Sequence, residues 1–173
     1  MTSMNVAGLL GPQGDHTQRL VNSLYTNGFA LDHSETGTGK THLLYAAYKE
    51  IQKTHCALEF VAYSVSRLLK IERDEYETQD EAADRLLTKL SRKRIIFLDD
   101  FCAENVTGKT TEFLYCLLDE AISNGKPRIF FTGNQTLKYI HDNISARIAS
   151  RIAGLCGPEN IIKVGGYDRR VNK

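Results

Sequence analysis

The stretch from Gly37 to Thr41 reads Gly-Thr-Gly-Lys-Thr, and its residue types suit the binding of a phosphate group. Backbone N–H groups of Gly37, Thr38 and Gly39 can surround a β-phosphate. Lys40 would reach the β and γ oxygens, and the hydroxyl group of Thr41 would hold Mg²⁺. The alternative is a strand-to-helix turn that is rich in glycine only for packing.

The phosphate-loop pattern is Gly-x-x-x-x-Gly-Lys-Ser/Thr, and Ser34 takes the place of its first glycine. If the backbone there has a positive φ, a side chain adds strain on the order of 1–3 kcal/mol. We therefore expect a strained loop that still binds ATP.

Two carboxylates follow a second feature, the apolar run from Ile95 to Leu98. Such a run predicts a strand buried on both faces, and open α/β sheets bind ligands at the carboxyl ends of their strands. Asp99 would hold hydrated Mg²⁺, and Asp100 would orient or deprotonate an attacking water. A pair of solvated turn aspartates is the alternative, but the phosphate loop earlier in the chain favours the catalytic interpretation.

A third apolar run, residues 129–132, precedes Asn134. Its amide could bind the γ-phosphate or the water without adding negative charge beside the aspartates.

A second Gly-Lys-Thr triplet, at residues 108–110, has no apolar strand before it. We therefore predict that this triplet begins a helix.

The elements that must position these residues alternate between strands and helices. Strands are predicted at residues 29–32, 58–63, 95–98, 128–132 and 161–164. Apolar residues at helical spacing predict a helix after the phosphate loop, another from a capping box at residues 78–81, and a third that ends near Gly125. The alternation predicts an α/β fold, a five-stranded parallel sheet covered on both faces.

Composition narrows the class of protein. The chain has 173 residues, 42% hydrophobic and 25% charged, with a net charge of +1, which is typical of a soluble globular protein. We predict a flexible arm at residues 1–14 and a single domain at residues 15–173. The four cysteines lack metal-ligand spacing, and no run is apolar enough to cross a membrane. We therefore expect a cytoplasmic protein without zinc or a membrane partner.

The motifs in this order resemble those of the AAA+ ATPases, and among them the bacterial helicase loaders DnaC and DnaI and the related transposition helper IstB. The resemblance extends from about residue 29 to residue 170. It rests on GTGKTHL at 37–43, IIFLDDFCAEN at 95–105, FFTGNQ at 130–135, RIASRIAG at 147–154 and VGGYDRR at 164–170.

The resemblance implies a three-layer P-loop NTPase fold with little or no separate helical lid. The strand before Asn134 would lie between those carrying the phosphate loop and the aspartates. His42 would join the nucleotide-binding residues. ATP would lie at interfaces of a homo-oligomer, where Arg151 looks like an arginine finger.

Two other arginines carry roles that the resemblance implies. Arg147, one helical turn before Arg151, would support that residue or share its role. Without the family, an i, i+4 pair on a solvated helix face would be the natural interpretation. Arg170 looks like a sensor 2 residue acting within its own subunit, with Arg169 as the alternative.

DNA contacts are expected in residues 64–94, a helical insertion where initiator-type AAA+ proteins place DNA-binding helices. Arg67, Lys70 and Arg73 share a helical face that could follow a single-stranded backbone. A solvated face balanced by neighbouring acidic residues is an equal alternative.

The functional prediction is an ATPase that loads or remodels a replicative helicase on single-stranded DNA during DNA replication. Asp100 stands where many AAA+ proteins carry glutamate, and the shorter carboxylate predicts slow hydrolysis. Only about 28 residues precede the first predicted strand, whereas loaders usually carry a longer segment that grips the helicase. The alternatives are an IstB-like helper of transposition and a non-hydrolysing ATP-binding module that targets a host loader or helicase.

Overall fold

The computed structural model describes residues 28–32, 37–53, 56–57, 60–65, 79–101, 108–125 and 128–164. Several predictions fall outside these residues. They concern the arm at 1–14, Ser34, the basic residues Arg67, Lys70 and Arg73, and the sensor 2 candidates Arg169 and Arg170.

Five parallel strands form one sheet, which confirms the predicted fold class. They are β1 (Gly28–Asp32), β2 (Phe60–Ser64), β3 (Ile95–Asp99), β4 (Arg128–Gly133) and β5 (Ile161–Lys163). Their order across the sheet is β2-β3-β4-β1-β5, and every neighbouring pair is parallel. The strand before Asn134 therefore lies between the strands that precede the phosphate loop and the aspartates, as the family resemblance implied.

Helices connect these strands, and the first three begin close to the predicted places. They are α1 (Lys40–Gln52), α2 (Gln79–Ser91), α3 (Gly108–Ser123), α4 (Leu137–Tyr139) and α5 (Ala146–Cys156). The triplet at 108–110 begins α3, as predicted. A π-helical segment, Ile140–Ile144, continues α4, and a 3-10 turn, Pro158–Asn160, precedes β5.

Short polar residues define the two helix starts after β4. The hydroxyl group of Thr136 accepts a hydrogen bond from the backbone N–H of Tyr139 at 3.1 Å, and that of Ser145 accepts one from Ile148 at 3.4 Å. These bonds satisfy N–H groups that have no partner within the helix. They fix where α5, the helix carrying Arg147 and Arg151, begins.

The core lies on both faces of the sheet. Alternate residues of β3 point in opposite directions, so Ile95 and Phe97 pack with α1, while Ile96 and Leu98 pack with α3 and α5. Phe97 and Phe130, on adjacent strands, stack with ring centroids 4.6 Å apart. The result is three layers, with α1 on one side of the sheet and α3 and α5 on the other.

Among the described helices, none combines the length and the apolar composition needed to cross a membrane.

Candidate nucleotide-binding site

The glycine-rich loop reaches α1 through two left-handed backbone positions. Gly37 has φ 75° and Gly39 has φ 97°, values that a residue with a Cβ rarely adopts. Gly39 is the N-cap of α1, and its carbonyl accepts a hydrogen bond from the N–H of Leu43 at 3.0 Å. This conformation places the first N–H groups of a thirteen-residue helix at the carboxyl end of the sheet, where they can face an anion.

Lys40 and Thr38 form the buried part of the loop. Only 7% of Lys40 and 2% of Thr38 are exposed, and the ammonium group of Lys40 donates a hydrogen bond to Thr38 Oγ1 at 3.2 Å. A charge in such a place must be met by hydrogen-bond acceptors or by opposite charge. The oxygens of a nucleoside triphosphate would supply both hydrogen-bond acceptors and negative charge, so the loop fits the ATP that the sequence predicts.

Thr41 and Asp99 meet although 58 positions separate them in the sequence. The Thr41 hydroxyl group donates a hydrogen bond to Asp99 Oδ1 at 3.2 Å. Thr41 is exposed and Asp99 is half-buried. A hydroxyl and a carboxylate oxygen are hard ligands of the kind that Mg²⁺ prefers, together with water and phosphate oxygens. The pair therefore fits the predicted magnesium site.

A cavity of about 370 Å³ opens beside this pair, between α1 and the β2–β3 edge of the sheet. Its lining includes the aromatic residues Tyr45, Tyr48 and Phe97, and also Thr41 and Asp99. The two oxygen ligands are therefore reached from an open side of the described structure.

Thr132, at the end of β4, contacts both aspartates and was not predicted as a site residue. Its hydroxyl group donates a hydrogen bond to Asp99 Oδ1 and accepts one from the N–H of Asp100 at 3.1 Å. Thr132 is 1% exposed. A polar residue at the end of an otherwise apolar strand was the signal that could have identified it.

Asp100 and Asn134 lie at the carboxyl ends of adjacent strands. Asp100 is exposed and has φ 56°, a left-handed conformation. Asn134 is half-buried and follows Gly133. The structure thus places Asp100 and Asn134 at the carboxyl end of the sheet, where the phosphate loop leads into α1. His42 is exposed in the first turn of α1, next to Thr41.

Arg147 and Arg151 of α5 share one aromatic partner, Tyr115 of α3. Each donates a hydrogen bond to the Tyr115 hydroxyl oxygen at 3.4 Å. The guanidinium carbons lie 4.3 and 5.7 Å from the ring centroid, within the range of cation–π attraction. Arg151 also forms an ion pair with Asp119 at 2.6 Å.

The environment of Arg151 favours its charged form. Its pKa lies above the ordinary value, first because Tyr115 accepts its hydrogen bond and then because Asp119 adds opposite charge. This helix lies on the face of the sheet opposite α1, so the structure does not place these arginines among the loop residues of the same chain.

Residues 20–156 match the family described as Bacterial DnaA ATPase domain. Sequence comparison with curated proteins gives no match. Among solved structures, AMPPCP-bound DnaA from Aquifex aeolicus has 17% identity and a TM-score of 0.70, covering 95% of this chain and 50% of its own. A DnaA bound to AMPPCP and single-stranded DNA has 16% identity and a TM-score of 0.71, covering 96% and 51%.

The helicase-loader side of the resemblance also has a structural neighbour. DnaI has 19% identity and a TM-score of 0.63, covering 88% of this chain and 83% of its own. The chain spans about half the length of each of the two DnaA structures. At these identities the structures establish the fold alone, and the family match confirms the AAA+ interpretation. The family match covers more than half of the chain, and we conclude that it belongs to the bacterial DnaA ATPase-domain family.

Proposed function

We propose that this protein binds ATP with Mg²⁺ and hydrolyses it slowly when copies of it assemble. We further propose that it acts in DNA replication, loading or remodelling a replicative helicase on single-stranded DNA. Family membership supports ATPase activity in general. The observation that carries the proposal is the 3.2 Å contact between Thr41 and Asp99, which joins the phosphate loop to the first aspartate of β3.

Nucleotide binding would use the loop residues according to their chemistry. The N–H groups of Gly37 to His42 would face the phosphates, and the buried ammonium group of Lys40 would contact the β and γ oxygens. Thr41 and Asp99 would hold Mg²⁺, which neutralises charge on the phosphates.

Hydrolysis would depend on Asp100 and Asn134, at the ends of adjacent strands. Asp100 would orient the attacking water or accept its proton, and Asn134 would contact the γ-phosphate or that water. The side chain of aspartate is one methylene shorter than that of glutamate, so its carboxylate extends less far from the backbone. Because the backbone N–H of Asp100 is bound to Thr132, the main chain is held in place and cannot make up for the shorter side chain, which supports slow turnover.

The arginine pair would act on the nucleotide of a neighbouring subunit. The helix that carries Arg147 and Arg151 packs on the face of the sheet opposite α1, which supports a role of these groups toward another chain. An arginine supplied in this way is worth about 10³–10⁵ in kcat in the best-studied nucleotide hydrolases. Hydrolysis would then require a homo-oligomer. Arg170 would contact the nucleotide within its own subunit.

The proposed location and partners are supported by the structural neighbours. Structural neighbours include a DnaA bound to single-stranded DNA and the protein DnaI, and both support a role near replicating DNA. Residues 64–94 would contact the DNA. A replicative helicase in the cytoplasm would be the protein partner.

The test combines ATP hydrolysis with subunit mixing, with and without single-stranded DNA. Lys40→Ala should lose ATP binding, whereas Arg151→Ala should keep binding and lose turnover. A mixture of the two variants should recover turnover, because the first supplies Arg151 to the intact loop of the second. Lys53→Ala is the control, since Lys53 is exposed just after α1 and lies outside both the loop and residues 64–94.

Each alternative predicts a different result. If ATP binds tightly but is not hydrolysed even with DNA and partner, the protein is an interaction module. A preference for duplex over single-stranded DNA would favour the transposition helper. If wild-type protein does not bind ATP, the proposed function is wrong. If Arg151→Ala hydrolyses ATP like Lys53→Ala, the arginine finger is wrong.

A further inference from the structure

We propose that Thr132 is a positioning residue whose single hydroxyl group orients the side chain of Asp99 and holds the backbone of Asp100. The inference rests on the proposed function, in which Asp99 holds Mg²⁺ and Asp100 directs water. Thr132 would touch neither nucleotide nor metal. Its role would be to fix the direction of the Asp99 carboxylate and the backbone at Asp100.

The hydrogen bonds of Thr132 match what one hydroxyl group can form. Its proton is directed to Asp99 Oδ1, and an oxygen lone pair receives the N–H of Asp100 at 3.1 Å. The side chain is 1% exposed, so solvent has little access to replace either bond. A change that removes the hydroxyl group therefore affects both aspartates at once.

The backbone after β3 needs this support. Asp100 has φ 56°, a conformation that is unfavourable for a residue with a Cβ unless its surroundings hold it. The N–H of the next residue, Phe101, donates to the carbonyl oxygen of Thr132 at 2.7 Å. Two consecutive N–H groups are thus bound by one residue, one through its side chain and one through its backbone.

The direction of the Asp99 carboxylate is set from two sides. Oδ1 accepts hydrogen bonds from Thr41 on the phosphate-loop helix and from Thr132 on β4. If Thr41 turns toward Mg²⁺ when nucleotide binds, Thr132 remains as the bond that orients the carboxylate. Partners that orient metal-binding carboxylates affect metal affinity or activity by about 10–100-fold when they are changed.

Two substitutions separate the hydroxyl group from the shape of the side chain. Thr132→Val keeps the shape and removes both bonds, whereas Thr132→Ser keeps the hydroxyl group and removes a methyl group. We expect Thr132→Val to lower kcat by about 10–100-fold and to raise the Mg²⁺ concentration needed for half-maximal activity. The KM for ATP should change little because Lys40 is unaffected. Thr132→Ser should restore most of kcat and the Mg²⁺ response.

A second readout does not depend on hydrolysis. Amide hydrogen exchange at Asp100 should be about tenfold faster in Thr132→Val, because the N–H loses its acceptor and Asp100 itself is exposed. Exchange in Thr132→Ser should stay near that of the wild type. Exchange at Ile96, in the middle of β3, reports whether the fold itself is intact in each variant.

The outcomes distinguish this inference from the proposed function. If wild-type protein does not hydrolyse ATP, the function fails, while exchange at Asp100 still tests the positioning role. Equal exchange at Asp100 in all three proteins overturns the inference. So does an equal loss of kcat in both variants, since packing rather than the hydroxyl group would then explain it. Faster exchange with serine rescue supports the inference.

Discussion

Replacing Gly133 by alanine measures how closely the ends of β3 and β4 approach each other at the proposed site. A Cβ at Gly133 would lie 2.9 Å from the carbonyl oxygen of Phe101, a backbone atom. Phe101 cannot easily move away, because its N–H is bound to the carbonyl oxygen of Thr132 at 2.7 Å. The added methyl group must therefore push apart two strand ends that are joined by hydrogen bonds.

The size of the effect follows from the cost of forcing a methyl group into a packed region. Overpacking of this kind destabilises proteins by about 1–3 kcal/mol. For a chain of this size each kcal/mol shifts Tm by about 2–4 °C, so Gly133→Ala should lower Tm by about 2–12 °C. The same displacement would move Asp100 and Asn134, so turnover should fall as well.

Gly154→Ala is the matched control, because it makes the same chemical change where there is space. Gly154 lies within α5, and a Cβ there would meet no atom within 4 Å. Alanine in a helix is favoured over glycine by about 0.5–1 kcal/mol, which should raise Tm by about 1–4 °C. The two variants are compared by thermal unfolding, monitored by circular dichroism. If Gly133→Ala is as stable as Gly154→Ala, the strand ends are not packed as described.

Three further measurements test the core, a thiol group and a surface ion pair. Leu118 is 0% exposed, so Leu118→Ala should lower the free energy of unfolding by about 2–5 kcal/mol in urea titrations. A loss below about 1 kcal/mol would contradict the place of Leu118 in the core. Burial raises the pKa of Cys156 to about 12, so alkylation at pH 8 should label exposed Cys56 and leave Cys156 unmodified until the protein unfolds. The pKa of Asp142 lies below its ordinary value, chiefly because Lys138 donates a hydrogen bond to it at 2.8 Å. The ion pair therefore stabilises the folded state above the unfolded pKa of Asp142, and this stabilisation is lost as pH falls through the lower folded pKa. Lys138→Met should raise the folded pKa of Asp142 in an NMR titration. An unchanged pKa would contradict the contact.

The sheet was largely predictable because its strands are unusually clear in the sequence. Continuous apolar runs bounded by turn residues predicted β3 at residues 95–98 and β4 at 128–132, each one residue shorter than observed. The place of β4 between β3 and β1 came from the family resemblance, since periodicity carries no information about which strands are neighbours.

The segment between β4 and α5 was not predicted in detail. Its π-helical part ends with a hydrogen bond from the N–H of Ser145 to the carbonyl oxygen of Ile140 at 2.8 Å. That bond spans five residues rather than four, a difference that apolar spacing over so short a segment does not reveal. The capping residues Thr136 and Ser145 were the available signals for helix starts there.

Contacts between distant residues explain what the sequence could not reveal at the site. The phosphate loop and the aspartates were found because each has a local pattern. Thr132 offers only a polar side chain at the end of an apolar strand, and its importance depends on the pairing of β3 with β4, which brings it beside residues more than thirty positions earlier.

The arginine pair shows the same dependence on distant contacts. Two cations one helical turn apart repel each other, so an isolated pair on α5 would be mildly destabilising and its side chains would point away from each other. Tyr115 and Asp119, one turn apart on α3, offset that repulsion by accepting hydrogen bonds and supplying a negative charge. Both guanidinium groups therefore lie beside the same ring, close to each other despite their like charge, on a side of α5 that solvent can reach.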